Sequence, residues 1–468
     1  MRRLQLLFPL AFALVSLAGC WDLAENDQHS LLGNNRFGNS LAADLSIDRD
    51  GRFLVAATEH DVFALDLRAF SVVRLDAPPT ARFVFGTSGE AFFADTVTEP
   101  ERRYTRLARV SLIEGRRTAS WTVDHFTNAM TRDASTGRLA LWSFYGADGA
   151  TVSVVDPAAN RVTALHTTDP LHDVSWLADG TLVLVERHTW KPREPVETEG
   201  PDTPPLEDPS TPITFIAPSG ETSTITIPNC ASRLNVSPDG TLAMVSPTFC
   251  QKDPVSLIDL RTRRFVENLP GFGPVAFSPD GEWALAFGRQ ADMATFGITS
   301  ETKYALLFIS TRDHHVEVMD LGDDLPTYTI TPDGEVVLIY SIFETSSWDG
   351  ILLVDVNTRT MRTAQGPELD LTEFVMTSDG ALVYLIDEGL YRLDVATGTI
   401  SYVQLTCGEP GQPTRCNPEL VNLLPDQQTL VLGWRRDPEL AFFDIPEHRV
   451  TRTVVLPRRT SETEPPTL

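Results

Sequence analysis

The chain has 468 residues, 42% of them hydrophobic, with 38 basic against 64 acidic side chains and a formal net charge of −26. That balance argues against nucleic acid, whose binding depends on a basic stripe, and against adhesion of the protein surface to anionic lipid. The apolar content suffices for a globular body, and beyond the N-terminal segment no apolar run is long enough to span a bilayer.

In chain order, the first element is a leader. Met1-Arg2-Arg3 supplies a positive start, and Leu4 to Val15 an apolar stretch too short to cross a membrane in a mature protein. Leu17-Ala18-Gly19-Cys20 follows and resembles the lipobox of bacterial lipoproteins. The resemblance implies that residues 1–19 are removed and that Cys20 becomes an acylated N-terminus. Several acyl chains would exceed the two signals that stable anchoring takes. Trp21 stands where inner-membrane lipoproteins commonly carry Asp, so the resemblance points to the outer membrane. Residues 20–40 are polar and Asn-rich and are expected to form a flexible tether.

From about residue 41 one turn keeps returning. Ser237-Pro238-Asp239-Gly240, Ser278-Pro279-Asp280-Gly281 and Thr331-Pro332-Asp333-Gly334 are its clearest copies, followed by Thr377-Ser378-Asp379-Gly380 and Leu177-Ala178-Asp179-Gly180. Weaker copies lie at 48–51, 87–89, 134–137 and 424–427. Pro presets φ, Asp bonds its own backbone and Gly takes the positive φ. Short β-branched and aromatic runs flank each turn. In the unit that begins near Pro274 they read Pro274–Phe277, Trp283–Phe287, Tyr304–Ile309 and Val316–Leu321, which makes four strands. A second mark is an aspartate closing the third strand, at Asp66, Asp156, Asp259, Asp355, Asp394 and Asp444; each is expected to close the turn into the fourth strand.

Recurrence about every 47 residues marks a ring or stack of supersecondary units. Together the two marks resemble the β-propeller repeats of the bacterial YVTN, TolB-like and PQQ-like groups, which are WD40-like in architecture. The resemblance implies an all-β propeller of four-stranded antiparallel blades, eight or nine in number, over residues 41–458. Units are expected to start near Asp44, Ala81, Phe126, Asp173, Ala231, Pro274, Thr327, Thr372 and Leu420. Residues 189–212, rich in Pro and Glu, read as a disordered insert, and 459–468 as a disordered tail.

With Cys20 assigned to the anchor, Cys230, Cys250, Cys407 and Cys416 remain. An even count in an exported protein suggests two disulfides. The strands before and after the turn at Pro238-Asp239 pair antiparallel, which brings Cys230 to Cys250; Cys407 and Cys416 close a short loop. Zinc-type CxxC spacing is missing.

In such blades the first-to-second and third-to-fourth turns share one face of the ring. The second-to-third loops and the connections between blades share the other. The first face is regular; the second gathers 99–103, 189–212, 290–303 and 343–349. Loops on a rigid scaffold are where binding usually resides, with Trp190, Phe296 and Trp348 as aromatic anchors.

Nucleophile-elbow, HExxH and phosphate-loop motifs do not occur in the sequence, nor does an Asp-x-Asp-x-Asp-Gly calcium loop. His314-His315 is expected in a solvated turn, and His172-Asp173 near the channel mouth without a third partner for acid–base work. The expectation is therefore a monomeric, lipid-anchored envelope propeller without cofactor or metal, binding or scaffolding protein or cell-wall partners, a reading that leans away from an enzyme and leaves catalysis open. The alternative is a lactonase-like hydrolase with a channel metal. A quinone-dependent dehydrogenase would need tryptophan docking motifs in every blade, and eight irregularly placed tryptophans do not supply them.

Overall fold

The computed structural model describes residues 45–457 apart from 49, 58–60, 80, 88, 101, 144–150, 168–169, 187–209, 248–253, 324–326, 341–349, 368, 370, 372, 409–411 and 435–436. Within them lie thirty-six strands, β1 (Leu45–Ile47) to β36 (Arg449–Val455). They form nine four-stranded antiparallel sheets, each from four consecutive strands. The protein is a nine-bladed β-propeller, the upper end of the expected range. Blades begin at Leu45, Arg82, Ala129, Leu171, Arg233, Phe272, Thr327, Glu373 and Leu420, within three residues of the positions read from the turns.

Each blade grades from core to solvent. Second strands are almost wholly buried, as in Phe53–Ala57 and Leu182–Glu186, whereas outer strands such as Arg161–His166 and Thr360–Thr363 are largely exposed. Apolar side chains on the two faces of a blade join the clusters on either side. Phe272, Phe287, Phe308, Tyr328 and Val337 knit blades six and seven. The ring closes in the same way: Leu54, Phe63 and Leu65 of blade one pack with Val431, Leu440 and Phe442 of blade nine. Polar stitches join the inner strands, with Asn422 Nδ2 donating to Leu45 O at 3.2 Å across the closure. The Tyr328 hydroxyl likewise donates to Leu285 O at 2.7 Å in the preceding blade. Among the described residues no helix is long and apolar enough to cross a membrane.

The recurring turns do more than reverse the chain. In Ser237–Gly240 the Ser237 hydroxyl donates to Asp239 Oδ1 at 2.7 Å and accepts from Leu242 N at 3.0 Å; Ser278, Thr331 and Thr377 repeat the pattern. Several turns also lean on a neighbouring one. A methyl group on Gly334 would meet Pro279 of the preceding blade, and one on Gly380 would meet the Asp333 carboxylate. One on Gly51 would stand 2.6 Å from Pro425 of blade nine, so the stacking runs through the closure. The glycines supply positive φ and leave room for the adjoining turn.

All six third-strand aspartates close their turns as expected. Asp355 Oδ1 accepts from Asn357 N at 2.9 Å and Thr358 N at 2.7 Å, and Asp66 and Asp259 do the same. Asp156, Asp394 and Asp444 each accept from the amide three residues on. The amide of Thr358 foremost holds the Asp355 carboxyl below its usual range; Thr262 and Thr397 amides do so for Asp259 and Asp394. The Ser237 hydroxyl does it for Asp239. A carboxyl lowered in the fold contributes stability above its unfolded pKa, about 3.9, and loses it as pH falls through the folded value. Stability should therefore decline below about pH 4. The cost of Asp355→Asn, measured as a shift in urea midpoint, should be larger at pH 7 than at pH 3. An equal shift at both would dismiss the linkage. Asp48 works the other way, because burial raises its carboxyl.

Candidate functional site: the loop-rich face

Two built excursions project on the face that carries the second-to-third loops. The first is the hairpin of β6 (Glu90–Glu99) and β7 (Arg102–Ser111). The sequence places 99–103 in an irregular loop; instead the ladder continues to Glu99 opposite Arg102. The flanking strands β5 (Arg82–Phe85) and β8 (Arg117–Val123) pair only as far as Ala94 and Thr105, so the hairpin end stands clear as a two-stranded arm.

On this arm Arg103 lies over the Phe126 ring at 4.5 Å, and Arg102 over Tyr104 at 5.2 Å. The Tyr104 hydroxyl donates to Glu99 Oε1 at 3.1 Å, and Arg102 pairs with exposed Asp124. Beneath it, buried Thr105 Oγ1 accepts from the Thr127 amide at 2.9 Å, pinning the connection that carries Phe126. Beside Phe126 in the same connection, His125 has its imidazole pushed below the usual value by burial. Arginine over an aromatic face is favourable and leaves the guanidinium edge free to bond. Sequence reasoning misses this cluster, although Arg102-Arg103-Tyr104-Thr105-Arg106 is a conspicuous basic run in so acidic a chain.

The second excursion joins β22 (Trp283–Arg289) to β23 (Tyr304–Ser310) and contains the helical turn α1 (Gln290–Met293) and a 3-10 turn, Ala294–Phe296. Met293 is fully buried and roots the loop, close enough to Gly288 that any side chain there would strike its sulfur. At the other end Ser300 and Thr302 donate to Asp320 of β24 (Val316–Gly322), and the Ser300 hydroxyl foremost holds that carboxyl below its usual range. Phe296 emerges 39% exposed. A large aromatic ring shown to solvent on a loop fixed at both ends suits an anchor role.

Of the remaining sequence candidates, Trp190 and Trp348 lie outside the described residues, as do Cys20 and Cys250. Cys407 and Cys416 form a disulfide, Cα–Cα 5.5 Å, and Cys230 is also disulfide-bonded. The insert expected over 189–212 ends earlier. Thr211 and Pro212 open β15 (Thr211–Ile216) opposite Ile227 and Thr226, and the Thr211 hydroxyl donates to Asn229 O at 2.9 Å. Pro212 fits because it stands at the strand's start, where one side is unpaired: the ladder with Leu182–Glu186 begins only at Ile213.

Asp173 is a stitch between inner strands: Oδ1 accepts from Val174 N at 2.8 Å and Oδ2 from Leu234 N of the next blade at 2.9 Å. The His314-His315 turn is not simply solvated, because His314, at φ +61°, reaches Glu267 of the preceding blade. Among the described residues no three His, Cys, Asp or Glu side chains are placed to share a metal ion.

The fold and this face define a propeller with a built, loop-bearing surface. No family model matches the chain, and no curated protein matches it. Solved structures similar to it include the hydrazine synthase of Kuenenia stuttgartiensis, with 14% identity over 92% of this chain and 100% of that one and a TM-score of 0.37. Apo AztD from Citrobacter koseri shares 14% identity over 78% of this chain and 95% of its own, TM-score 0.42. A eukaryotic initiation factor shares 10% over 91% and 90%, TM-score 0.48. Likeness at this level carries no argument about what the chain does.

Proposed function

We propose that the protein is a lipid-anchored propeller of the bacterial cell envelope, held at the outer membrane through Cys20. On this reading its loop-rich face binds or scaffolds a protein or cell-wall partner. The observation that carries it is the contrast between the two faces. One is a face of short turns, several of them stacked on a neighbour, whose polar groups are satisfied within each turn. The other presents an arginine–aromatic arm and an exposed Phe296 on a loop fixed at both ends. Fixing a binding loop in advance lowers the ordering cost of association. The leader and the Leu17-Ala18-Gly19-Cys20 motif support the anchor.

The experiment is labelling with palmitate in a bacterial host, combined with photo-crosslinking side chains placed at 103, 296 and 280. Label should enter the chain and vanish in Cys20→Ser. Crosslinked partners should arise from 103 and 296 but not from 280 on the regular face. Unlabelled protein would remove the anchor, and crosslinks only from 280 would remove the assignment of the binding face.

A further inference from the structure

On the second blade, beside the connection that leads in from the first, lies a small cavity of about 170 Å³. Phe93, Ala108 and the Ala77-Pro78 connection form its apolar wall, and Asp95, Arg106 and Arg117 its polar one. Asp95 and Arg106 stand directly opposite each other in the ladder, a position from which opposite charges normally join. Here they do not. Neither arginine comes within ion-pair distance of Asp95. Arg117 turns instead to exposed Asp76, Nη2 to Oδ1 3.4 Å, while its Nε is buried and lacks an acceptor among the described residues.

All three side chains are only partly shielded from water, and Asp95 also accepts the Thr96 amide, but neither guanidinium bonds the Asp95 carboxylate. Two cationic groups and one carboxylate are therefore held apart around a space that something else can fill. A lone anion would meet Asp95, and a lone cation would meet two guanidinium groups. A molecule with both charges satisfies all three. We propose that this cavity binds a small zwitterionic α-amino acid. Its carboxylate bonds Arg106 and Arg117, its ammonium bonds Asp95, and its short side chain lies against Phe93 and Pro78. Guanidinium is suited to the first task because its fork of donors matches a carboxylate. Burial raises the Asp95 carboxyl, while Arg106, the Thr96 amide and Arg117 oppose that rise.

The test is titration calorimetry of the purified chain with three probes: alanine, propionate, which lacks the amine, and ethylamine, which lacks the carboxylate. Alanine should bind roughly tenfold or more tightly than either fragment, the worth of one charge-assisted hydrogen bond. Asp95→Asn should erase the preference for alanine over propionate, and Arg106→Gln should weaken both. Circular dichroism establishes that each variant is folded; if Arg106→Gln is not, the three-probe comparison on the unaltered chain still decides. Absence of alanine binding, or propionate binding as tight as alanine, would overturn the site. The result is independent of the loop-rich face, since crosslinks from 103 and 296 do not involve this cavity.

Discussion

Replacing Phe442 by alanine should destabilise the protein by about 3–5 kcal/mol, the usual cost of deleting a buried phenylalanine ring. Phe442 is 2% exposed and belongs to the cluster in which blade nine meets blade one. Its ring takes the edge of Phe70 at 5.4 Å, and Arg452 lies over the Phe70 ring. Each blade takes its strands from one continuous stretch, and among the described residues the ninth sheet holds only strands from Leu420 onward. Side-chain packing, the Asn422 stitch and the Gly51–Pro425 contact hold the seam. Phe287→Ala, in the equivalent cluster between blades six and seven, is the matched control. Urea midpoints should fall by similar amounts, with Phe442→Ala also hastening proteolysis near the ends of the chain. A loss below ~1 kcal/mol, far under the usual range, would show that the seam is held by something other than this packing.

The second large effect concerns a glycine. Gly334→Ala should cost about 2–5 kcal/mol, from adopting positive φ and from overpacking against Pro279. Gly240→Ala should cost only the first part, about 1–2 kcal/mol. The two glycines hold the same place in the same turn, at φ +76° and +68°, but Gly240 has open space where Gly334 faces proline. Equal losses in the two denaturation curves would mean that the turns do not brace one another.

Residues around the turns show how far local chemistry can be read. Ser-Pro-Asp-Gly needs only four neighbours to specify its geometry, so its position, its period and the strands around it are legible in the sequence. So are the roles of the third-strand aspartates, whose amide partners lie two and three residues away. The same locality explains the pairing of Cys407 with Cys416, nine residues apart in sequence.

Other features depend on pairs of residues far apart in the chain. Arg102 and Arg103 read as loop residues because the partners that fix them, Asp124 and Phe126, lie more than twenty residues further on. His314 reads as solvated because Glu267 belongs to the preceding unit. The charges of Asp95, Arg106 and Arg117 are ordinary surface charges in sequence. Their gathering around one cavity comes from the pairing of three strands in the second blade beneath the Ala77-Pro78 connection.

The four-stranded repeat, the turn chemistry and a ring of eight or nine units can thus be read from the amino acids in order, because they rest on φ preferences and hydrogen bonds within a few residues. Blade packing then settles that nine units close the circle and that several of the turns brace a neighbouring one. It also sets an arginine–aromatic arm on the loop-rich face. Each of these depends on how one sheet packs and twists against the next, which no short stretch of chain encodes.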